Sequence, residues 1–183
     1  MASTHTDLVS GLGSLGLTSG DVVFVHSSLS SFGHVEGGAE TVVQAFLEVL
    51  GPEGTLAVPS FGKYFMEGPG QVWDRDRSPS LMGRISETVR TWPGARQSPH
   101  AVHPVSAVGG LAEDLTERHH LTDFAFDSPF ARLLELDAWI VLLGVTYNSC
   151  TAPVSFALGG TNSLVRRPPA ADLPHGERRS LQC

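Results

Sequence analysis

Cysteine is nearly missing from this chain: among 183 residues only Cys150 and Cys183 occur. That excludes a disulfide framework and a cysteine-based zinc site, and it points to a reducing, cytoplasmic setting. Long apolar runs are absent as well, and none approaches the ~20 residues that a membrane-spanning helix needs. The opening Met1-Ala-Ser-Thr-His-Thr-Asp-Leu8 has neither the basic flank nor the apolar stretch of a signal peptide. Basic residues are few, 12 against 19 acidic ones, for a formal net charge of −7. Nucleic acid and anionic membranes reward clustered Lys and Arg, so neither is expected as a partner. A cationic small molecule fits that balance, although acidic surfaces also serve solubility alone.

What is present is a chain of ordinary globular composition, 41% hydrophobic and 17% charged, long enough to bury a core as one domain. Strand and helix signals alternate along it. Asp21–Val25 is a buried strand that runs into the polar turn His26-Ser-Ser-Leu-Ser-Ser-Phe-Gly33. Thr6-Asp7 is a cap for a short helix before it. A helix is expected from about Ala39 to Leu50, stopped by Gly51-Pro52. Thr55–Pro59 is a second strand with its own polar turn, Ser60-Phe61-Gly62. Ser78-Pro79 is expected to start a helix carrying Met82, Ile85 and Val89. Val102–Val108 reads as a third strand, Leu111–His119 and Ser128–Leu136 as helices, and Trp139–Gly144 as the clearest strand of all. This alternation indicates an α/β layered domain. The pattern holds through residues 1–152; residues 153–183 form a divergent proline- and glycine-rich tail, an incomplete part of the same domain.

Ligands bind α/β sheets at the carboxyl ends of strands, which directs attention to the His26 turn; an ordinary strand-to-helix loop is the bland alternative. Gly11-Leu-Gly-Ser-Leu-Gly16 spells G-x-G-x-x-G but precedes the first strand, where a dinucleotide fingerprint must follow one. No G-x-S-x-G elbow is present, which weighs against a serine hydrolase acting through Ser27 or Ser28. His100 and His103 lack a third ligand and, behind Pro99, a helix to carry zinc spacing, so no metal is expected; each either lines a pocket or is structural. Trp73-Asp-Arg-Asp-Arg77 reads either as a solvated loop of local ion pairs or as an aromatic and two carboxylates for an ammonium-bearing ligand.

Taken in order, several blocks resemble the aminoglycoside 3-N-acetyltransferase family. They are Gly20-Asp21 with His26-Ser-Ser-Leu29 and Phe32-Gly33; Gly51-Pro-Glu-Gly-Thr-Leu56 with Pro59-Ser-Phe61; Ser78-Pro-Ser-Leu-Met-Gly83 with Glu87; His100 through Val105-Ser-Ala-Val-Gly109; and Ser128-Pro129 with Leu133-Leu-Glu-Leu136 and Leu142-Leu-Gly-Val145. The resemblance implies a three-layer α/β/α sandwich with a central mixed sheet, distinct from the small general acetyltransferase fold. It implies transfer of acetyl from acetyl-coenzyme A, without metal, to the 3-amino group of a 2-deoxystreptamine aminoglycoside. By the same resemblance His26, Ser27, Ser28 and Leu29, with Ser98, Val105 and Ser106, border the coenzyme, while Tyr64, Trp73 and Asp74 face the antibiotic. The family's Thr-x-x-His-x-x-Glu pattern, counted from Thr151, places its His at Val154 and its Glu at Ala157; the acidic residue often found just before the threonine falls at Asn148. None of the three matches, and the chain is shorter than the family's members. The resemblance therefore assigns no catalytic residue, and an inactive fragment or a coenzyme-binding remnant stands as the alternative.

Overall fold

The structure, a computed structural model, describes residues 2–62, 72–118, 127–146 and 149. The chain starts with α1 (His5–Ser14), followed by β1 (Val22–Ser27), a 3-10 turn (Leu29–Phe32), α2 (Gly38–Leu50) and β2 (Thr55–Pro59). Then come α3 (Arg84–Arg90), the two-residue β3 (Arg96–Gln97), β4 (Val105–Gly109), α4 (Ala112–Thr116), α5 (Pro129–Glu135) and β5 (Trp139–Leu143).

The strands form one mixed sheet in the order β3-β4-β2-β1-β5. β1 runs parallel to both β2 and β5, whereas β4 is antiparallel to β2 and β3 antiparallel to β4. Alternation along the buried strands sends side chains to two apolar layers. Val23 and Val25 join Val42, Phe46, Ile85 and Val89 on the α1–α2–α3 side. Val22 and Phe24 join Leu115, Phe130 and Leu133 on the α4–α5 side. With both faces covered, the molecule is the three-layer α/β/α sandwich expected from the resemblance.

Several boundaries differ from the sequence reading. Thr4, and not Thr6-Asp7, caps α1: its hydroxyl accepts from the Asp7 N–H, and the Asp7 carboxylate accepts from the Thr4 N–H at 2.9 Å, a reciprocal capping box. β1 continues two residues further, through His26 and Ser27, because β5 pairs with it that far, Leu142 opposite His26 and Leu143 opposite Ser27. Ser78-Pro79 starts no helix; the Ser78 N–H and hydroxyl are engaged with the Asp74 main chain, and α3 begins only after Gly83, whose φ is 102°. β4, expected from Val102, begins only at Val105 because the amides of Val102 and His103 turn back onto the His100 ring. Ser128-Pro129, in contrast, caps α5 as expected, with the buried Ser128 hydroxyl accepting from the Ala131 N–H at 3.3 Å. Ser128→Ala should cost about 1 kcal/mol, read as a shift of the urea midpoint at unchanged slope.

Candidate functional site

Parallel β1, β2 and β5 all finish on one edge of the sheet, and antiparallel β4 begins there, with Val105 opposite Pro59. A cleft of about 380 Å³ opens on that edge, lined by His26, Ser27, Pro59, the Leu81–Gly83 segment, Val145 and Ser149. Elements distant in sequence therefore converge on the end of β1.

His26 is the chemical centre of this cleft. Only 4% of it is exposed, and its ring packs edge-on against Phe24 at 5.0 Å and 89°. Burial drives its pKa from 6.5 down to about 4, with the Ser149 main chain pulling weakly the other way. The ring is neutral at neutral pH. Among the described residues, its Nε2 and the neighbouring Ser27 hydroxyl are buried atoms without a hydrogen-bond partner. Folded proteins seldom leave such atoms unpaired outside functional sites, since each costs about 1–3 kcal/mol.

Directly beyond, the 28–32 turn is a hydroxyl network. The Ser28 N–H donates to the Leu143 carbonyl at 2.9 Å, which ties the turn to β5. The Ser31 hydroxyl donates to that of Ser28 at 3.0 Å, and the Ser28 and Ser30 hydroxyls lie 3.1 Å apart. Leu29 turns inward, half-buried against the α1–α3 layer. Thus His26 and Ser27 line the cleft, while Ser28 and Leu29 follow them in the adjoining turn and are not among its lining residues.

Ser98, Val105 and Ser106 lie on the same edge but beneath the surface, each with no exposed area. The Val105 N–H donates to the Ser98 hydroxyl and its carbonyl accepts from the Ser98 N–H, both at 2.9 Å; the Ser60 hydroxyl donates to that of Ser106. All three are occupied in supporting the start of β4. Above them, His103 meets Phe61 edge-on at 4.7 Å and stacks on His100 at 6.4 Å. His100 Nδ1 accepts from the N–H groups of Val102 and His103, at 3.3 and 3.0 Å.

Of the residues assigned to an antibiotic, Trp73 is half-buried and Asp74 exposed, and neither lines the cleft. One Asp74 carboxylate oxygen accepts from the N–H groups of Asp76 and Arg77, closing a local turn. Tyr64 lies outside the described residues, as do Asn148, Val154 and Ala157. The sequence reading missed Leu81, Met82 and Gly83 as cleft residues; the Ser78–Gly83 block marked them only as part of a resemblance.

A second cleft, about 310 Å³, lies between α4 and α5, where Arg132 bridges Asp114 at 2.8 Å and Glu135 at 2.9 Å. It shares no lining residue with the first cleft. Among the described residues no cluster of His, Cys, Asp and Glu fits a metal ion, and no helix is long and apolar enough to cross a membrane.

Comparison with known proteins bears directly on this edge. A family model described as aminoglycoside 3-N-acetyltransferase matches residues 24–153, which contain the whole cleft. Aminoglycoside N(3)-acetyltransferase III from a Salmonella species is 37% identical, over 81% of this chain and 58% of that protein. Among solved structures, AAC-IIIb in a binary complex with coenzyme A superposes with a TM-score of 0.70 at 27% identity, over 78% of this chain and 59% of its own. AAC-VIa bound to sisomicin superposes at 0.76 with 30% identity, over 83% and 63%. The chain spans about three fifths of the length of each of these proteins.

Proposed function

The chain belongs to the aminoglycoside 3-N-acetyltransferase family, and from that premise we propose that it transfers acetyl from acetyl-coenzyme A to the 3-amino group of a 2-deoxystreptamine aminoglycoside, the chemistry of antibiotic resistance. The observation that carries the reading is a pair of buried atoms, His26 Nε2 and Ser27 Oγ, that have no hydrogen-bond partner among the described residues and sit on the cleft at the carboxyl edge of the sheet. A bound thioester arm, with its carbonyl and amide groups, offers the partners they lack. Relatives bound to coenzyme A and to sisomicin support the two substrate classes.

When bound, the thioester supplies an activated acetyl group and a thiol leaving group. The chain contributes placement. The Ser27 hydroxyl donates toward the carbonyl oxygen, where negative charge grows as the amine attacks. His26, with a pKa near 4, is a neutral hydrogen-bonding group that orients the arm. That pKa is too low for it to serve as the base that takes the amine's proton. Leu29 and the Ser28–Ser30–Ser31 hydroxyls flank the arm, and Ser98, Val105 and Ser106 hold the edge beneath it. Tyr64, Trp73 and Asp74, in a chain of net charge −7, are assigned to the cationic antibiotic. In this reading residues 1–152 are the acetyltransferase-like α/β core and 153–183 a divergent part of the same domain. The low cysteine content and the intracellular co-substrate both favour the cytoplasm.

One observation favours a second reading. Val154 and Ala157 carry no titratable side chain at the positions where the family pattern has His and Glu. Loss of a base slows such chemistry by about 10²–10⁴-fold, so a coenzyme-binding remnant is the alternative. Thiol release from acetyl-coenzyme A, followed with and without the aminoglycoside, decides between them. Slow, antibiotic-dependent release is expected. Calorimetric binding of coenzyme A without release would establish the remnant, and neither binding nor release would end both readings.

A further inference from the structure

The cleft wall facing His26 and Ser27 is an irregular segment, yet it is held almost amide by amide. The Asp74 N–H donates to the Ser78 hydroxyl, and the Ser78 N–H to the Asp74 carbonyl, each at 2.8 Å. The Leu81 N–H donates to the Phe61 carbonyl at 2.8 Å and the Met82 N–H to the Ser80 hydroxyl at 3.2 Å. The remaining anchor comes from α3. The Glu87 carboxylate accepts from the Ser80 N–H at 2.7 Å and from Arg90 twice, Nε at 2.9 Å and a terminal nitrogen at 2.7 Å. The other terminal nitrogen of Arg90 donates to the Asp76 carbonyl at 3.1 Å.

An exposed ion pair one helical turn apart contributes little by itself. This one differs in two respects. The Arg90 side chain is only 8% exposed and its fork is bidentate, the strong geometry for a guanidinium and a carboxylate. Both partners also reach out of the helix, gripping the segment at Asp76 and Ser80. Burial works to raise the Glu87 pKa, but the bonds from Arg90 and Ser80 outweigh it and leave the group ionised more readily than usual. What the grip positions is apolar: Leu81 keeps 48% of its surface exposed beside Met82 and Gly83, unlike a packed loop residue. A surface of that kind suits the alkyl and amide run of a thioester arm better than a polycation.

We propose that Glu87 is a positioning residue: through the Ser80 N–H and the Arg90 guanidinium it fixes the Leu81–Gly83 wall opposite His26 and Ser27, and so sets affinity for the acyl-thioester co-substrate. The inference rests on the acetyl-coenzyme A reading above. It places no reacting role on Glu87, which acts through the wall.

Coenzyme A binding by the wild type, measured first by calorimetry, separates the two claims; no binding there would overturn both. Amide hydrogen exchange at Ser80, coenzyme A affinity and thiol-release kinetics are then compared for the wild type, Glu87→Ala and Glu87→Gln. Glu87→Ala should lose protection at Ser80 and raise both the Kd for coenzyme A and the KM for acetyl-coenzyme A about tenfold, with kcat and the antibiotic KM within about threefold. Glu87→Gln keeps an oxygen for Ser80 and should restore protection and most of the affinity. Should Glu87→Ala not fold, Arg90→Lys, which retains charge but loses the fork, should give the same direction with a smaller shift. An exposed Ser80 amide with coenzyme affinity unchanged would overturn the proposal. So would a fall in kcat at unchanged KM, which is what loss of folded protein alone would give.

Discussion

Between pH 7 and pH 5 the wild-type protein should lose about 2 kcal/mol of stability through His26, and His26→Phe should lose none of it. The folded-state pKa is about 4 against 6.5 for the free side chain. In that interval the unfolded chain binds a proton that the folded chain refuses. Stability therefore rises with pH across the window, is complete above about 6.5, and is lost as pH falls toward 4. At about 1.4 kcal/mol per unit, the whole shift amounts to about 3 kcal/mol, of which about 2 falls above pH 5. Stopping at pH 5 matters, because Glu87, held below the usual carboxylate range, gives up its contribution only at lower pH. Phenylalanine preserves the ring and its edge-on packing against Phe24. Urea unfolding at pH 7 and pH 5 on both proteins measures the difference; equal losses would show that His26 is not the buried neutral group described. The same substitution removes Nε2 from the cleft, and kcat/KM should fall about a hundredfold at pH 7, where stability is not limiting.

The sequence made the sheet legible where burial is two-sided. Thr55–Pro59 is buried throughout and apolar after Thr55, and its ends matched the observed strand, because a strand covered on both faces reads as a nearly unbroken run. The same logic ended β1 too early. His26 and Ser27 look like a turn, yet they remain paired to β5, and only long-range pairing could have revealed it. β3 has two residues and no pattern to read. Ser78-Pro79 has the letters of a helix start, but Asp74 captures Ser78 first, so local chemistry within the loop overrode the cap. The site divides along the same line. His26 and Ser27 were legible as cleft residues because an apolar run stops there. Leu81–Gly83 was not, because the segment is held at the cleft by the Leu81 N–H bond to the Phe61 carbonyl, far back in the chain, and by the Glu87 carboxylate on the preceding Ser80 N–H.

Gly144→Ala should damage the proposed coenzyme site from a residue that does not line the cleft. Gly144 follows β5 with φ of 70°, where a side chain is strained. A Cβ there would also stand 2.8 Å from Ser31 Cβ, 3.0 Å from the Ser28 carbonyl oxygen and 3.1 Å from a Phe32 ring carbon. The glycine thus lets β5 end directly beneath the 28–32 turn, which the Ser28–Leu143 hydrogen bond then fastens down. Alanine brings two costs: the left-handed backbone, about 1–3 kcal/mol, and displacement of the turn. Gly20→Ala isolates the first, since Gly20 has φ of 89° and nothing within 4 Å of its Cβ position. Both variants should unfold at lower urea, Gly144→Ala the lower of the two. Only Gly144→Ala should weaken coenzyme A binding, by about tenfold, because only there must the Ser28–Phe32 hydroxyl turn move. Equal affinity in the two variants would mean that the turn tolerates the shift, and that the contacts assigned to Ser28 and Leu29 belong elsewhere on the sheet edge.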